Sequence, residues 1–154
     1  MSLESVKKAV KGTALENAIV PLEHTGATVE LAADAVGCEP DEIAKTLSFL
    51  VDEQPILIVV SGSARIDNKK YKGYFHKKAK MIPGDAVEEL TGHQPGGVCP
   101  FGAKETVQIY VDKSLEKHEI VYPAAGDENF IIRTPVAEID NIVPVVAHID
   151  VTQE

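Results

Sequence analysis

The stretch LSFLVDEQPILIVVSG, residues 47–62, decides the fold of this chain. It contains two apolar runs, LSFLV at 47–51 and ILIVVSG at 56–62, separated by the polar residues Asp52, Glu53 and Gln54 and by Pro55. Runs of this length that are rich in Val and Ile and are separated by a short turn are typical of paired strands. The pattern therefore predicts a β-hairpin, around which the rest of the chain must be arranged.

Helical and extended patterns alternate irregularly on both sides of this hairpin. Upstream, the sequence predicts an amphipathic helix at 2–16, an extended run at 19–24, a helix from Thr25 or Thr28 to Gly37, and a short helix opened by Pro40 and closed by Lys45. Downstream, it predicts a helix capped by Asp67, an extended segment at 79–82, a helix at 84–92, strands at 107–111, 119–125 and 129–134, a turn capped by Asp112, and a helix at 135–143. The tail after 143 is ambiguous. Elements mixed in this way favour an α+β fold with a mixed, strongly curved sheet surrounded by helices.

Composition bounds the class of protein. The chain has 154 residues, of which 44% are hydrophobic and 25% charged, and these values predict a single globular domain over 1–154. No apolar stretch is long enough to span a bilayer, and the N-terminus lacks the features of a signal peptide. Cys38 and Cys99 belong to no CxxC pair, and the five histidines share no metal-ligand spacing, so we expect no metal, no cofactor and a cytoplasmic protein.

Charge is distributed unevenly along the chain. The formal net charge of −9 argues against a general nucleic-acid binder, because such proteins must neutralise phosphates. However, NKKYKGYFHKKAK at residues 68–80 contains six of the 15 lysines and arginines and no acidic residue. This stretch is interpreted either as a solvated face or as a local site for an RNA end, because the rings of Tyr71, Tyr74 and Phe75 could stack on exposed bases.

The stretch GGVCPFG, residues 96–102, is the strongest candidate for chemistry. Gly96 and Gly97 lack a Cβ atom, so the backbone is free to adopt positive φ and to point consecutive N–H groups at one place. Such a concavity binds a carboxylate, a phosphate oxygen or the oxyanion of an acyl-transfer reaction. The alternative interpretation is a plain turn between the predicted helix at 84–92 and the strand at 107–111.

Three further side chains have both a structural and a chemical interpretation. Lys45 either stabilises the end of its predicted helix or anchors an anionic or carbonyl group. Cys99 is either a half-buried small side chain or a nucleophile whose pKa the loop amides lower. His93 is either a surface or capping histidine or a base, although nothing in the sequence pairs it with Cys99.

Taken together, four segments resemble the YbaK-like editing proteins, free-standing relatives of the insertion domain of bacterial prolyl-tRNA synthetases. These segments are DEIAKTLSFLVD, ILIVVSGSARIDNKKYK, AKMIPGDAVEELTGHQPGGVCPFG and VQIYVDKSLEKHEIVYPAAG. They occur in the family's order and spacing, and the resemblance is strongest over residues 20–143. It implies a barrel-like mixed sheet and hydrolysis of the ester that joins a wrong amino acid to the 3′ end of a tRNA.

The resemblance also assigns roles to residues. It implies that the catalytic residues are Lys45, Gly96, Gly97, Val98, Cys99 and Pro100. It implies substrate contacts from Thr46, Asp67, Phe101, Gly126 and Asp127. The lysine-rich stretch supplies candidate RNA-binding residues Lys69, Lys70, Lys72, Lys77 and Lys78.

Departures from the family pattern bear on the substrate. Residues 123–127 read Pro-Ala-Ala-Gly-Asp, without the histidine that alanine-removing members carry there, and Thr46 stands where those members commonly have Asn. The resemblance therefore implies that cysteine, or another small amino acid, is removed from tRNA(Pro), with prolyl-tRNA synthetase as a possible partner. Alternatives are a non-catalytic module that binds the tRNA end or a synthetase, and a thiol hydrolase that uses Cys99. Whether the protein is a monomer or a homodimer stays open.

Overall fold

The computed structural model describes residues 2–153, which form five α-helices and eight β-strands. In chain order these are α1 (Ser2–Val10), β1 (Ile19–Pro21), α2 (Val29–Val36), β2 (Ile43–Val51), β3 (Gln54–Ser61), α3 (Asn68–Phe75), α4 (Val87–Thr91), β4 (Gln108–Asp112), β5 (Ile120–Pro123), β6 (Phe130–Ile132), β7 (Thr134–Pro135), α5 (Val136–Ile142) and β8 (Val145–Ile149). Short 3-10 helices occupy Pro40–Glu42, Gly84–Ala86, Pro95–Gly97 and Lys113–Lys117. None of the described helices is long and apolar enough to cross a membrane.

The predicted hairpin forms the centre of a curled six-stranded sheet. Strands β2 and β3 pair antiparallel from Val51 opposite Gln54 to Ala44 opposite Ser61, joined by a turn in which Asp52 has a φ of 56°. The strand order is β7-β5-β2-β3-β4-β8, with parallel pairing of β5 to β2, β3 to β4 and β4 to β8. A separate two-stranded sheet joins β1 to β6. The α+β fold with a mixed, curved sheet is therefore confirmed.

Both faces of the central strand β3 are buried. Leu57 and Val59 belong to a core shared with helices α1, α4 and α5, whereas Ile56, Ile58 and Val60 belong to a second core covered by α3. Successive side chains of a strand point to opposite faces, so an uninterrupted apolar run is what a strand covered on both sides requires. The sheet thus separates two layers, and the two layers carry different candidate sites.

Local signals placed most helix ends correctly. The side chain of Thr28 accepts a hydrogen bond from the N–H of Leu31 and caps α2, and Asp67 caps α3 through the N–H of Lys70. Gly37 ends α2 in the left-handed conformation that glycine adopts readily. These predicted ends are confirmed because each depends on residues within one turn.

Other predicted elements were wrong in extent. Helix α1 ends at Val10 and not at residue 16, because the chain turns at Gly12 with a φ of +79°. The helix opened by Pro40 lasts a single 3-10 turn, since Ile43 and Ala44 pair with β5 and begin β2. Lys45 therefore lies within a strand and does not close a helix. The ambiguous tail forms β8 beside β4.

Candidate active site

A cavity of about 150 Å³ lies where the start of β2 meets residues 96–102, the GGVCPFG stretch, which we call the glycine-rich loop. One wall comes from residues 26–29 and the first turn of α2, and a second comes from the beginning of β2, including Lys45 and Thr46. The third wall consists of Pro95, Gly96 and Val98, and the fourth of side chains from β5 and β6. The structure thus brings Lys45 and the glycine-rich loop, which are about 50 residues apart in sequence, to one small cavity.

Lys45 supplies the positive charge of this cavity. Burial lowers the pKa of its ammonium group, the nearby positive charge of Arg65 lowers it further, and the carboxylate of Glu30 opposes both effects. No described carboxylate forms an ion pair with Lys45. A half-buried ammonium group without such a partner is disposed to bind the carbonyl oxygen or phosphate of a ligand.

Thr46 adds a polar group to the same wall. Its Oγ1 atom is buried and has no hydrogen-bond partner among the described residues. An unsatisfied buried hydroxyl is unfavourable, so a substrate atom that hydrogen-bonds to it would be favoured. The position predicted as a substrate contact therefore lies at the cavity.

The first two glycines of the glycine-rich loop serve close packing and not left-handed backbone, whereas Gly102 at its end has a φ of +68°. Neither Gly96 nor Gly97 has a positive φ, so that prediction was wrong. Instead, a Cβ atom on Gly97 would lie 2.3 Å from the backbone nitrogen of Asp127 and 2.4 Å from the carbonyl carbon of Gly126. The glycine at 97 is required because the turn at 126–127 presses against it, and sequence alone does not show that contact.

Hydrogen bonds fix this loop and reduce the number of amides that can act on a substrate. The N–H of Gly97 donates to the carbonyl of Gln94 at 2.8 Å, and its own carbonyl accepts from the N–H of Gly126 at 2.9 Å. Pro100 has no N–H to offer. Gly96 and Val98 are the loop residues of the predicted set that line the cavity.

The turn after β5 supports the cavity from outside. Gly126 has a φ of +86°, and the carboxylate of Asp127 accepts a hydrogen bond from the N–H of Asn129 at 2.8 Å. Neither residue lines the cavity. The two positions predicted as substrate contacts therefore lie behind the glycine-rich loop and brace it.

Cys99 lies in the core and not in the cavity. Its side chain is fully buried, and its thiol donates to the carbonyl of Phe101 at 3.4 Å. Burial raises the pKa of this thiol to about 12, so a thiolate does not form near neutral pH. Phe101, a predicted substrate contact, is fully buried as well. The geometry gives no support to a nucleophilic role for Cys99.

His93 is also buried, which contradicts the prediction of a surface or capping histidine. Its Nε2 atom lies 2.8 Å from the carbonyl oxygen of Phe101, and its Nδ1 atom has no described partner. Burial lowers the pKa of His93 and favours the neutral imidazole. The ring holds the end of the glycine-rich loop and does not reach the cavity as a base.

Asp67 and the predicted RNA-binding lysines lie in the layer formed by α3. The carboxylate of Asp67 is occupied with capping, and it does not line the cavity. Lys69, Lys72 and Lys78 line a separate groove, whereas Lys70 and Lys77 make ion pairs. The structure therefore does not gather all predicted site residues into one place.

Some of the cavity wall was missed by the sequence analysis. Ala27, Ala32, Ala44 and Ala124 keep the cavity small, and Tyr122 adds a ring to the wall. Gly26, another missed wall residue, donates its N–H to the carbonyl of Glu128 at 2.6 Å. Small apolar residues carry no local signal of a site, so only the fold reveals them. Within residues 2–153, no three His, Cys, Asp or Glu side chains cluster as metal ligands would.

The protein family of this chain follows from its similarity to known proteins. The family model described as the aminoacyl-tRNA editing domain matches residues 23–142, which include every wall of the cavity. The chain belongs to the aminoacyl-tRNA editing domain family. The resemblance drawn from the sequence is confirmed, and this editing domain is a hydrolase of aminoacyl-tRNA esters with tRNA as its substrate.

Relatives of the editing domain occur both alone and inside a synthetase. It is 43% identical over 140 residues to the uncharacterized protein YwhH of Bacillus subtilis (strain 168), covering 90% of this chain and 89% of YwhH. It is 32% identical over 117 residues to proline–tRNA ligase of Staphylococcus aureus (strain Newman), covering 75% of this chain but only 20% of the ligase. A solved structure of a proposed trans-editing enzyme for prolyl-tRNA synthetase superposes with a TM-score of 0.87 at 27% identity, covering 99% and 98% of the two chains.

The charged neighbours of Lys45 lead to a prediction for pH dependence in this editing domain. Replacing Arg65 with Gln removes a repulsive charge and is expected to raise the pKa of Lys45, whereas Glu30→Gln removes an attractive charge and is expected to lower it. An NMR titration of the Lys45 side chain measures both shifts, with Lys113 in the same sample as an internal control. If the ammonium form is active, deacylation is lost as pH rises through this pKa, so the alkaline limb moves up in Arg65→Gln and down in Glu30→Gln. If the pKa of Lys45 shifted in the same direction in both variants, Arg65 and Glu30 would not be the opposing charges that act on it.

Proposed function

We propose that this chain acts in trans on mischarged tRNA(Pro) and removes cysteine or another small amino acid. The observation that carries the proposal is the small cavity in which Lys45 and the glycine-rich loop meet. Its walls are rich in alanine, so a short side chain fits and a bulky one is excluded. The likeness to one segment of proline–tRNA ligase supports tRNA(Pro) as the tRNA, and the free-standing relatives support action in trans.

In the proposed reaction, water attacks the ester carbonyl carbon while the bond to the ribose 3′ oxygen breaks. The departing 3′ oxygen takes up a proton, so the products are a free amino acid and a tRNA with its 3′ hydroxyl restored. Loop N–H groups at Gly96 and Val98 would stabilise the charge that develops on the carbonyl oxygen, an effect commonly worth about 2.7–4 kcal/mol per donor. Lys45 would hold the substrate in attacking geometry, through its carbonyl or its terminal phosphate.

The cavity offers no obvious protein base. None of the described residues that line it is His, Asp or Glu, and His93 is occupied in the core. We therefore assign activation of water to a group of the substrate, either the neighbouring ribose hydroxyl or the thiol of a misattached cysteine. A thiol in that place would also explain a preference for cysteine over alanine.

A deacylation panel tests the proposed substrate. Cysteinyl-, alanyl- and seryl-tRNA(Pro) are incubated with the protein alone and with prolyl-tRNA synthetase, and prolyl-tRNA(Pro) serves as the matched control. We expect cysteinyl-tRNA(Pro) to be hydrolysed fastest, with prolyl-tRNA(Pro) about 10-fold slower or more, because discrimination in a tight apolar pocket is of that order. Binding without accelerated hydrolysis across the whole panel would instead favour a non-catalytic module.

A further inference from the structure

The lysine-rich stretch at 68–80 divides into two sets by its contacts. Lys70 donates to the carboxylate of Asp150 at 3.1 Å and to the carbonyl of Thr152 at 2.8 Å, so it ties α3 to the end of the chain. Lys77 forms an ion pair with Asp52 at 3.2 Å, across the hairpin turn. These two ammonium groups have structural partners and are not free for a ligand.

The second set surrounds a groove. Lys69, Lys72 and Lys78 line it together with Asn68 and Ala79, and its volume is about 480 Å³. All three lysines are exposed, and none of them has an ion pair with a described carboxylate. Lys69 and Lys72 are three residues apart in α3 and therefore lie on one face of the helix. Three like charges around one groove repel one another, and an anion between them would relieve that repulsion.

The groove and the cavity lie near the two ends of the same strand. From Lys45 to Phe49 is four residues along β2, or about 13 Å at roughly 3.3 Å per residue. The ring of Phe49 lies 5.1 Å from that of Tyr71, which precedes Lys72 in α3. On the other side of the groove, the segment that follows Lys78 pairs with β2, where the N–H of Leu50 donates to the carbonyl of Lys80 at 2.8 Å.

We propose that the groove of Lys69, Lys72 and Lys78 binds the phosphate backbone of the tRNA acceptor end while the aminoacylated 3′ end occupies the cavity. This inference rests on the proposed function of the cavity. The cavity adjoins the start of β2, and the segment that follows Lys78 bonds to the far end of the same strand at Leu50, so nucleotides upstream of a 3′ end in the cavity have a cationic groove on the same molecule to contact. Phosphate contacts position a nucleic acid without reading its sequence, so the groove sets affinity and orientation and the cavity selects the amino acid.

The test measures binding of an uncharged RNA minihelix that copies the acceptor stem and 3′ end of tRNA(Pro). The double variant Lys69→Gln/Lys72→Gln is compared with Lys7→Gln/Lys8→Gln, a matched pair of exposed lysines on α1. For the groove variant we expect the slope of log affinity against log salt concentration to become shallower by about two, because each lost phosphate contact contributes about one. The α1 variant should keep the wild-type slope. A groove variant with the wild-type affinity and slope overturns the proposal, and that result is also expected if the groove binds an acidic protein.

A second substrate separates failure of this inference from failure of the proposed function. Aminoacyl-adenosine carries the ester but lacks the upstream phosphates, so the groove variant should hydrolyse it at the wild-type rate while its KM for aminoacyl-tRNA rises about 10-fold or more. If the groove variant lost equal activity on aminoacyl-adenosine and on aminoacyl-tRNA, these lysines would act on the cavity, and the proposal would be overturned. If the wild type hydrolyses neither ester, the proposed function fails, whereas the minihelix measurement still decides the role of the groove.

Discussion

Replacing Lys45 with Ala is expected to lower kcat/KM for deacylation about 100- to 1000-fold, the range seen when one stabilising donor is removed from an active site. The side chain lines the cavity beside the glycine-rich loop, and its ammonium group forms no ion pair with a described carboxylate. Its removal therefore breaks no ion pair and relieves the desolvation of a half-buried charge. Stability should be nearly unchanged, so a loss of activity would report on the chemistry and not on the fold.

Two variants sharpen this measurement. Lys45→Met keeps most of the apolar stem and removes the charge, so it should lose as much activity as Lys45→Ala if the ammonium group is what matters. Lys7→Ala removes an exposed lysine of α1 and should leave single-turnover rates unchanged. Thermal unfolding of all three variants checks that they are folded. Undiminished turnover in Lys45→Ala would refute its assignment to the active site.

Replacing Gly97 with Ala is expected to destabilise the protein by about 3 kcal/mol, near the upper end of the range for overpacked sites, and to abolish most deacylation. The new methyl group would lie 2.3 Å from the nitrogen of Asp127 and 2.4 Å from the carbonyl carbon of Gly126. Both are backbone atoms, which cannot rotate away as the end of a flexible side chain can. The loop and the turn must separate, and the hydrogen bond from Gly126 to Gly97 is then lost.

Two other glycines provide matched controls for that result. Gly96→Ala meets the flexible carboxylate of Glu128 at 2.8 Å, which can move, so its stability loss should be smaller than that of Gly97→Ala. Gly73 lies within α3 with nothing near its missing Cβ atom, and Gly73→Ala should stabilise the protein by about 0.5–1 kcal/mol. Urea denaturation of the three variants measures their free energies of unfolding and so gives their order of stability. Equal stability of Gly97→Ala and Gly73→Ala would contradict the packing described for the loop.

Sequence patterns predicted those parts of the fold whose causes are local. The hairpin follows from two apolar runs and a short turn, and the caps at Thr28 and Asp67 need only the next few residues. Strand β8 has no such local pattern and forms because β4 offers it a pairing edge, with a register shift between Ile109 and Tyr110. Lys45 was predicted at a helix end because local preference favours a helix after Pro40. Pairing of the adjacent residues Ile43 and Ala44 with β5 overrides that preference and places Lys45 in a strand.

The candidate site was predictable only in outline. Resemblance to a family pointed to Lys45 and the glycine-rich loop as parts of one site. The fold brings the two together at the cavity. The reason for Gly97 lies in a turn about 30 residues further along the chain, and the burial of His93 depends on the carbonyl of Phe101. Local sequence shows neither contact, so positive φ at Gly96 and Gly97 and a surface or capping histidine at position 93 were predicted instead.

The most direct test of the account is a crystal structure with a hydrolysis-resistant analogue, cysteinyl-adenosine in which an amide replaces the ester at the ribose 3′ position. We expect the analogue to occupy the cavity with its carbonyl oxygen about 3 Å from a backbone N–H of the glycine-rich loop and with the Nζ atom of Lys45 in contact with the analogue. An analogue bound elsewhere, or one whose carbonyl group points away from both the loop and Lys45, would contradict it.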